Sequence, residues 1–360
     1  MGTIIGLRKQ FCYAKIRAPS RLPKCLTVCG LLFALLCFMA AQPRAIAQSN
    51  SHYAASSALN VGPCVSTTLD GVHSRVPDFA VNDSGMYYLV HGPAAATVVK
   101  TDFFGKCAGT LNLPVTAQEL AVGPDGQIAV LSRASAPDGK PARVISIFQG
   151  LSGGPILMQT KDAIGPLVLL TAPLAVNYTK KTLETFTISN STSSIIANDI
   201  PLALQYPDLF RLAPAGSSIV VVLELAHNRM HVIDIATRVV QVVNLSAPEI
   251  DIALNKIPIA HRWSDRPGVQ HQSSTRSTAL WGMTASPDGR IFVGLNHFTL
   301  ADGAPFVEFG TDGARRRSFV CQLPKVAASG EQLLIPSHMQ YWNRALYLLD
   351  GRGLVVKYSL

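Results

Sequence analysis

FAVNDSGMYYLV, at Phe79–Val90, decides the fold of this chain, because its plan of apolar strand, glycine turn and second apolar strand returns along the sequence. The same plan occurs as LAVGPDGQIAVL at Leu120–Leu131 and as MTASPDGRIFVGL at Met283–Leu295. The turn glycines Gly85 and Gly126 lie 41 residues apart. A strand-based repeat with a period of about 40–45 residues is typical of a β-propeller.

Further copies extend the repeat over most of the chain. Phe210–Leu225 and Met339–Gly351 follow the plan more loosely, and a paired apolar run after most copies supplies a third and a fourth strand. Another blade is expected at Gly165–Leu204, where the strands lack a clear glycine turn. We therefore predict an all-β β-propeller with six four-stranded blades. Seven blades are the alternative, if the segment 247–278 contains another one.

The last blade indicates how the ring closes. Only three strand segments follow residue 335 before the chain ends at Leu360. The N-terminal segment Pro63–Gly71 resembles Lys106–Pro114, the fourth strand expected for the first full blade. Pairing the N-terminal and C-terminal strands in one blade covers sheet edges that would otherwise be open. We expect the ring to close in this way.

The N-terminal segment 1–47 differs in character from the rest of the chain. It carries seven Lys and Arg residues and no acid, contains the 16-residue apolar run Leu26–Ala41, and ends in Ala45-Ile46-Ala47. These features are typical of a secretory signal peptide. An uncleaved N-terminal anchor is the alternative, although the run is shorter than the ~20 residues that span a bilayer. We expect 48–61 to be disordered and 62–360 to form one domain.

Charge and cysteine content follow from that division. The whole chain has a net charge of +9, but without the seven basic residues of the signal the remainder is close to +2. The high pI therefore says little about nucleic acid or an anionic membrane surface as a partner. We expect no nucleic-acid partner and no stable membrane insertion after signal cleavage. Cys64, Cys107 and Cys321 remain in the exported part, where one disulfide with one thiol, or no disulfide, is compatible with the sequence.

One blade resembles known repeat families at the level of motifs. His227–Val243, HNRMHVIDIATRVVQVV, is similar to a repeat of the YVTN-type propellers, and its Asn228-Arg229 pair is similar to a corner of NHL repeats. The resemblance covers most of 75–360 as architecture only. It implies a binding scaffold in most relatives and a lactonase or a lyase in some six-bladed ones.

The repeat pattern breaks in the segment Asp251–Thr278, a loop insertion between the fourth and fifth expected blades. In a propeller such an inter-blade loop shares one face with the loops that join second and third strands. Long loops on a rigid scaffold often carry function, although the insertion could also be disordered or only cover the blades. The candidate ligand-binding residues of this loop-rich face are His91, His261, Arg262, Trp263, Asp265, Arg266, His271 and His297.

The sequence offers no catalytic motif and no metal-ligand spacing, so we assign no catalytic residue and no metal ligand. His227 and His231 have i,i+4 spacing, but they flank a strand–turn–strand corner, so we expect them to have a structural role. The recurring turn acids Asp83, Asp125 and Asp288 suit tight turns, which explains them without a metal. We predict an exported, non-enzymatic scaffold, secreted or periplasmic in a bacterium, monomeric and without a cofactor, that binds a protein, peptide or glycan. The alternative is a metal-dependent lactonase- or lyase-like enzyme that holds calcium through oxygen ligands near the channel.

Overall fold

In the computed structural model the described part of the chain is built almost entirely of strands. The described residues are 51–65, 69, 74–93, 95–113, 117–135, 141–161, 164–187, 192–203, 210–256, 259–262, 273–276, 278–296, 303–324 and 336–360. Six sheets of at least four strands are arranged as the blades of a β-propeller, as the repeat predicted. Within these ranges no helix is long and apolar enough to cross a membrane.

The strands follow the chain in blade order. Two short strands, β1 (Ser51–Tyr53) and β2 (Ser57–Asn60), precede a 3-10 turn at Gly62–Cys64. Blade 1 contains β3 (Arg75–Asn82), β4 (Gly85–His91), β5 (Ala96–Thr101) and β6 (Cys107–Leu113). Blade 2 contains β7 (Ala117–Val122), β8 (Ile128–Ser135), β9 (Pro141–Phe148) and β10 (Leu157–Lys161). Blade 3 contains β11 (Ile164–Leu169), β12 (Pro173–Asn177), β13 (Thr182–Thr187) and β14 (Thr192–Ala197).

The second half of the ring repeats this order. Blade 4 contains β15 (Phe210–Pro214), β16 (Ile219–Glu224), β17 (Arg229–Asp234) and β18 (Val240–Asn244). A helix, α1 (Pro248–Lys256), and a hairpin of β19 (Ile259–Arg262) and β20 (Ser273–Arg276) follow. Blade 5 contains β21 (Leu280–Ala285), β22 (Arg290–Leu295), β23 (Ala304–Gly310) and β24 (Arg315–Cys321). Blade 6 contains β25 (Pro336–Trp342), β26 (Ala345–Asp350) and β27 (Leu354–Ser359).

The ring closes through the N-terminal strand β2, which pairs antiparallel with β27 and becomes the fourth strand of blade 6. Closure by terminal pairing is confirmed, but the predicted segment Pro63–Gly71 is wrong. Its first residues lie in the 3-10 turn instead, because Pro63 suits the first turn of a helix and donates no hydrogen bond to a strand partner. The segment 48–61, which we expected to be disordered, contains both β1 and β2.

The strand β1 extends blade 5 beyond the predicted four strands. It pairs in parallel with β24, so blade 5 has five strands. Tyr53 packs edge-on against Phe319, and the Arg317 guanidinium lies over the Tyr53 ring. The first described residues of the chain are thus held on one blade before β2 joins the next.

The hydrophobic core consists of six clusters, one between each pair of consecutive blades. The cluster between blades 6 and 1, for example, packs Phe79 and Tyr88 against Tyr347, and all three are buried. Alternating apolar residues supply these contacts because successive side chains of a strand point to opposite faces of its sheet, and each face meets a neighbouring blade. Burial between blades therefore holds the ring together.

The glycine turns that defined the repeat are required by the backbone. Gly85 has a φ of 137°, and a Cβ atom added there would lie 2.2 Å from the carbonyl oxygen of Thr101. No other residue type fits without a shift of the neighbouring strand. This confirms that the strand–glycine–strand plan marks the hairpin of first and second strands.

The predicted insertion 251–278 has more regular structure than its sequence indicated. Its beginning belongs to α1, whose Ile250 and Ala253 are buried in the cluster between blades 4 and 5. Glu249, in the first turn of α1, forms an ion pair with Arg315 of β24. The apolar residues recur at helical spacing, and acids in the first turn favour the helix electrostatically. This part of the insertion is packed against the ring.

Cysteine pairing and the basic run 315–317 are also defined by the structure. Cys64 and Cys107 form a disulfide, and Cys321 is a buried free thiol. The three arginines of the run each pair with an acid, namely Arg315 with Glu249, Arg316 with Asp312 and Arg317 with Glu308. Their positive charge is therefore largely compensated.

Candidate functional site

The first strand of each blade lines a central channel. Residues from all six inner strands, β3, β7, β11, β15, β21 and β25, surround one cavity of about 860 Å³. Each inner strand contacts the inner strand of the next blade, and β25 contacts β3, so the wall is continuous. A cavity of this size is within the range that small ligands occupy.

One position recurs in every inner strand, directly before its apolar run. The pairing of each inner strand with its neighbour brings this position to the same level of the channel. Its chemistry changes from blade to blade. The six residues, from blade 1 to blade 6, are Asp78, Glu119, Pro166, Arg211, Gly282 and His338.

A β-bulge lies at this position or just before it in five of the six inner strands. In blade 1 the register shifts between Arg75 and Asp78, and in blade 6 it shifts between Pro336 and His338. β15 alone pairs without a shift at this level. Bulges bend a strand and re-aim its side chains. In this molecule they mark the level at which charged side chains line the cavity.

The two carboxyl groups at this level join neighbouring blades. Asp78 Oδ2 accepts a hydrogen bond of 2.7 Å from the backbone N–H of Leu120 in blade 2. Glu119 Oε2 accepts one of 2.7 Å from the backbone N–H of Leu167 in blade 3. Both acids therefore have a structural role, because each satisfies a backbone donor of the next inner strand.

Asp78 also faces His338 across the seam where the ring closes. The distance from His338 Nε2 to Asp78 Oδ1 is 3.9 Å, and the two side chains are 35% and 12% exposed. Burial raises the pKa of the Asp78 carboxyl to about 8, against the hydrogen bond from Leu120. Burial, together with the positive charge of Arg211, lowers the pKa of His338. Both effects favour the uncharged forms of this pair near neutral pH.

Arg211 is the positively charged residue at this level of the channel, and it forms a hydrogen bond to the next blade. Its Nη1 donates to the carbonyl oxygen of Phe210 at 2.8 Å, and its Nη2 donates to that of Trp281 in blade 5 at 3.2 Å. The Arg211 charge acts on both Asp78 and His338. Four of the six blades thus place an ionisable side chain at one level of the channel.

The two ends of the channel differ in charge. Among the described residues, every charged or imidazole residue that lines the cavity lies at the end where the inner strands begin, which we call the charged end. These residues are Arg75, Asp78, His91, Glu119, Arg133, Arg143, Arg211 and His338. The lining of the opposite end, at the hairpin turns, is apolar or uncharged, with Val122, Pro214, Ser217 and Pro287 as examples.

The charged end lies on the face that the sequence identified as loop-rich, because second strands end there and inter-blade connections enter there. Among the eight predicted site residues, His91 lines the cavity and bonds through Nε2 to the carbonyl oxygen of Ala117. Burial lowers the His91 pKa. His261 and Arg262 lie in β19, where only their backbone is described. Outside the described residues are Trp263, Asp265, Arg266, His271 and His297.

Sequence reasoning missed Asp78, Glu119, Arg211 and His338. Their residue types differ, so they do not appear as a repeated motif. The signal that could have found them is positional: each directly precedes the apolar run of an inner strand, as in Asp78 before FAVND and Glu119 before LAVGP. The repeat located the inner strands correctly, and the ionisable residues of the channel lie at its variable position.

The histidine pair with i,i+4 spacing has a structural role, as expected from the sequence. His231 is fully buried and its Nε2 lies 2.6 Å from Oε1 of Glu224. Arg229 donates to the same carboxylate, and the backbone N–H of Ala203 donates to Oε2. Among all described residues, no group of three His, Cys, Asp or Glu side chains could hold a metal ion.

Comparisons with known proteins give neighbours in structure alone. No protein-family model and no curated protein matches the chain. A protein of unknown function from Bacteroides thetaiotaomicron is 10% identical, with a TM-score of 0.49 over 86% of this chain and 75% of that one. The WD40 β-propeller domain of Doa1 is 10% identical, with a TM-score of 0.43 over 85% and 97%.

A streptogramin B lyase is similar to this chain to about the same degree. It is 9% identical, with a TM-score of 0.42 over 84% of this chain and 96% of that one. BamB from Moraxella catarrhalis is 11% identical, with a TM-score of 0.37 over 79% and 83%. At such identities these likenesses identify no family and no activity. What the chain itself shows is a six-bladed β-propeller with one charged channel end.

Proposed function

We propose that this chain is an exported, non-enzymatic β-propeller that binds a protein segment, peptide or glycan at the charged end of its channel. The observation that carries the proposal is the asymmetry of the cavity. The charged residues that the structure describes in its lining all lie at one end, on the face where the inter-blade connections enter. A concave, mostly apolar site with a few convergent polar groups is the usual form of a ligand pocket.

The proposed binding surface also includes the predicted loop residues outside the channel. His91 belongs both to the predicted set and to the cavity lining. The insertion that contains His261 and Arg262 connects blades 4 and 5 on the same face. A ligand larger than the cavity would therefore contact these loops as well. Export, a monomeric state and a ligand of the peptide or glycan class remain parts of the proposal.

A matched pair of substitutions tests the location of the site. Ser337 lines the cavity at the charged end, whereas Ser217 lines it at the opposite end. The protein should bind at least one member of immobilised peptide and glycan arrays. Ser337→Trp should abolish that binding by filling the entrance, and Ser217→Trp should preserve it. Melting curves of both variants verify that the ring is intact.

Two results would contradict the proposal. Either no array member is bound, or binding survives in Ser337→Trp and is lost in Ser217→Trp. The metal-dependent enzyme remains the alternative from the sequence. Because it requires several hard oxygen ligands that converge, metal analysis of the purified protein distinguishes it: one tightly bound calcium ion per chain would favour the enzyme.

A further inference from the structure

Arginines on the outer parts of the blades are almost all paired with carboxylates. Six form ion pairs, at distances of 2.5 to 3.2 Å: Arg229 with Glu224, Arg290 with Asp288, Arg315 with Glu249, Arg316 with Asp312, Arg317 with Glu308 and Arg352 with Asp350. Arg238 and Arg344 lie on exposed turns with positive φ.

Arginines that line the charged end have different surroundings. Arg75 and Arg133 are exposed and line the cavity, and neither side chain makes a hydrogen bond or ion pair with a described residue. Arg143 donates to the side-chain oxygen of Gln118, which is a neutral acceptor. These three arginines belong to the adjacent blades 1 and 2, so their guanidinium groups lie on one side of the channel.

The carboxyl groups at the charged end do not balance this charge. In the described part of the lining, four arginines, counting Arg211, stand against Asp78 and Glu119. Each of the two acids uses an oxygen to accept a backbone N–H of the next blade. The cavity wall thus carries an excess of positive charge, and a concave site with low-dielectric walls concentrates the resulting field.

We propose that the charged end of the channel binds a carboxylate-bearing ligand, with Arg75 and Arg133 as the groups that recognise its carboxylate. This rests on the proposed function and names the chemistry of its ligand. The planar guanidinium matches a carboxylate through two parallel hydrogen bonds, so it selects this group over a neutral one. The carboxylate could belong to an acidic sugar or to the C-terminus of a peptide, and the cavity of about 860 Å³ has room for either.

Calorimetric titration with charged and neutral probes of equal size tests the proposal. Tri-galacturonate is compared with neutral tri-galactose, and a tripeptide with a free C-terminus is compared with its amidated form. One charged probe should bind, its neutral counterpart should not, and the affinity should fall as salt is raised well above about 0.1 M. The probe that binds identifies the source of the carboxylate.

Substitutions connect that affinity to the two arginines. Arg75→Gln and Arg133→Gln should each weaken binding of the charged probe by about tenfold or more, the effect of losing a charge-assisted hydrogen bond. Arg316→Gln is the matched control, because Arg316 is an exposed arginine on blade 5 that pairs with Asp312. It should leave the affinity unchanged.

The proposal is overturned if neutral and charged probes bind equally, if neither charged probe binds, or if the Arg316→Gln control weakens binding as much as the cavity variants. A neutral ligand that Ser337→Trp excludes would leave the proposed function standing while this inference fails. Loss of all binding, on the arrays as in the titrations, would contradict both.

Discussion

At the scale of single residues, the channel depends on Asp78, which combines a buried carboxyl with two backbone hydrogen bonds. Its pKa of about 8 lies above the usual value of 3.8 for an aspartate, so the folded state retains a proton that the unfolded state loses. The free energy of unfolding should therefore fall as pH rises from about 4 to about 8.

Asp78→Asn removes this titration. Relative to the variant, the unmodified protein should lose more than about 1 kcal/mol of stability across that pH window, since one pKa unit corresponds to 1.36 kcal/mol. Urea unfolding at a series of pH values measures the difference. Parallel curves for Asp78→Asn and the unmodified protein would refute the assignment.

Glu224 is the second residue whose charge decides stability. Burial acts to raise its pKa, but hydrogen bonds from His231 and Arg229 outweigh burial and hold the pKa at about 2. Its contribution to stability should thus be complete above about pH 4.5 and be lost as pH falls toward 2.

Glu224→Gln should lower the free energy of unfolding at neutral pH by about 3 kcal/mol, because it leaves Arg229 without its partner in a buried network. Asp312→Asn, which removes the partner of the exposed Arg316, should cost less than about 1 kcal/mol. Chemical denaturation of the two variants gives the comparison. Equal losses would show that the Glu224 network has no special weight.

At the scale of elements, β2 closes the ring by covering the edge of β27. A chain that begins at Val61 lacks this strand, whereas a chain that begins at Ala54 lacks only β1. The first should be destabilised by about 2 kcal/mol or more, since Leu59 also loses its contact with the core. The second should remain closer to the full protein. Thermal melting distinguishes them, and an equal effect of both truncations would argue against closure by β2.

The disulfide between Cys64 and Cys107 connects the segment after β2 to the outer strand of blade 1. It closes a loop of 43 residues, so its loss should cost about 4 kcal/mol. The double variant Cys64→Ser/Cys107→Ser should melt like the reduced protein and show no further response to reductant. A double variant that melts like the oxidised protein would rule out this role.

Elements were predictable wherever the repeat fixed the backbone. Gly85 and Gly126 mark turns that need positive φ, so the hairpins could be read from the sequence. The closing strand was misplaced because Pro63–Gly71 shares a cysteine and turn residues with Lys106–Pro114, a likeness that does not depend on strand pairing. α1 was missed because, among its residues whose burial is described, the buried ones are Ile250 and Ala253, too short an apolar pattern to indicate a helix.

At the scale of the whole molecule, the ring creates a site that no single repeat contains. Asp78 and His338 are 260 residues apart in sequence, yet they face each other because blades 1 and 6 are neighbours. Such a juxtaposition depends on the number of blades and on how the ring closes, and neither can be derived from one copy of the repeat. This is why the sequence indicated the face but missed the channel residues.

The measurement that tests the central claim most directly is a crystal structure of the protein with the ligand that the arrays or the titrations identify. We expect six blades, with the ligand in the channel at the charged end, within hydrogen-bond distance of Arg75 or Arg133. A ligand seated at the hairpin-turn end or on the outer strands, with the charged end unoccupied, would contradict the account.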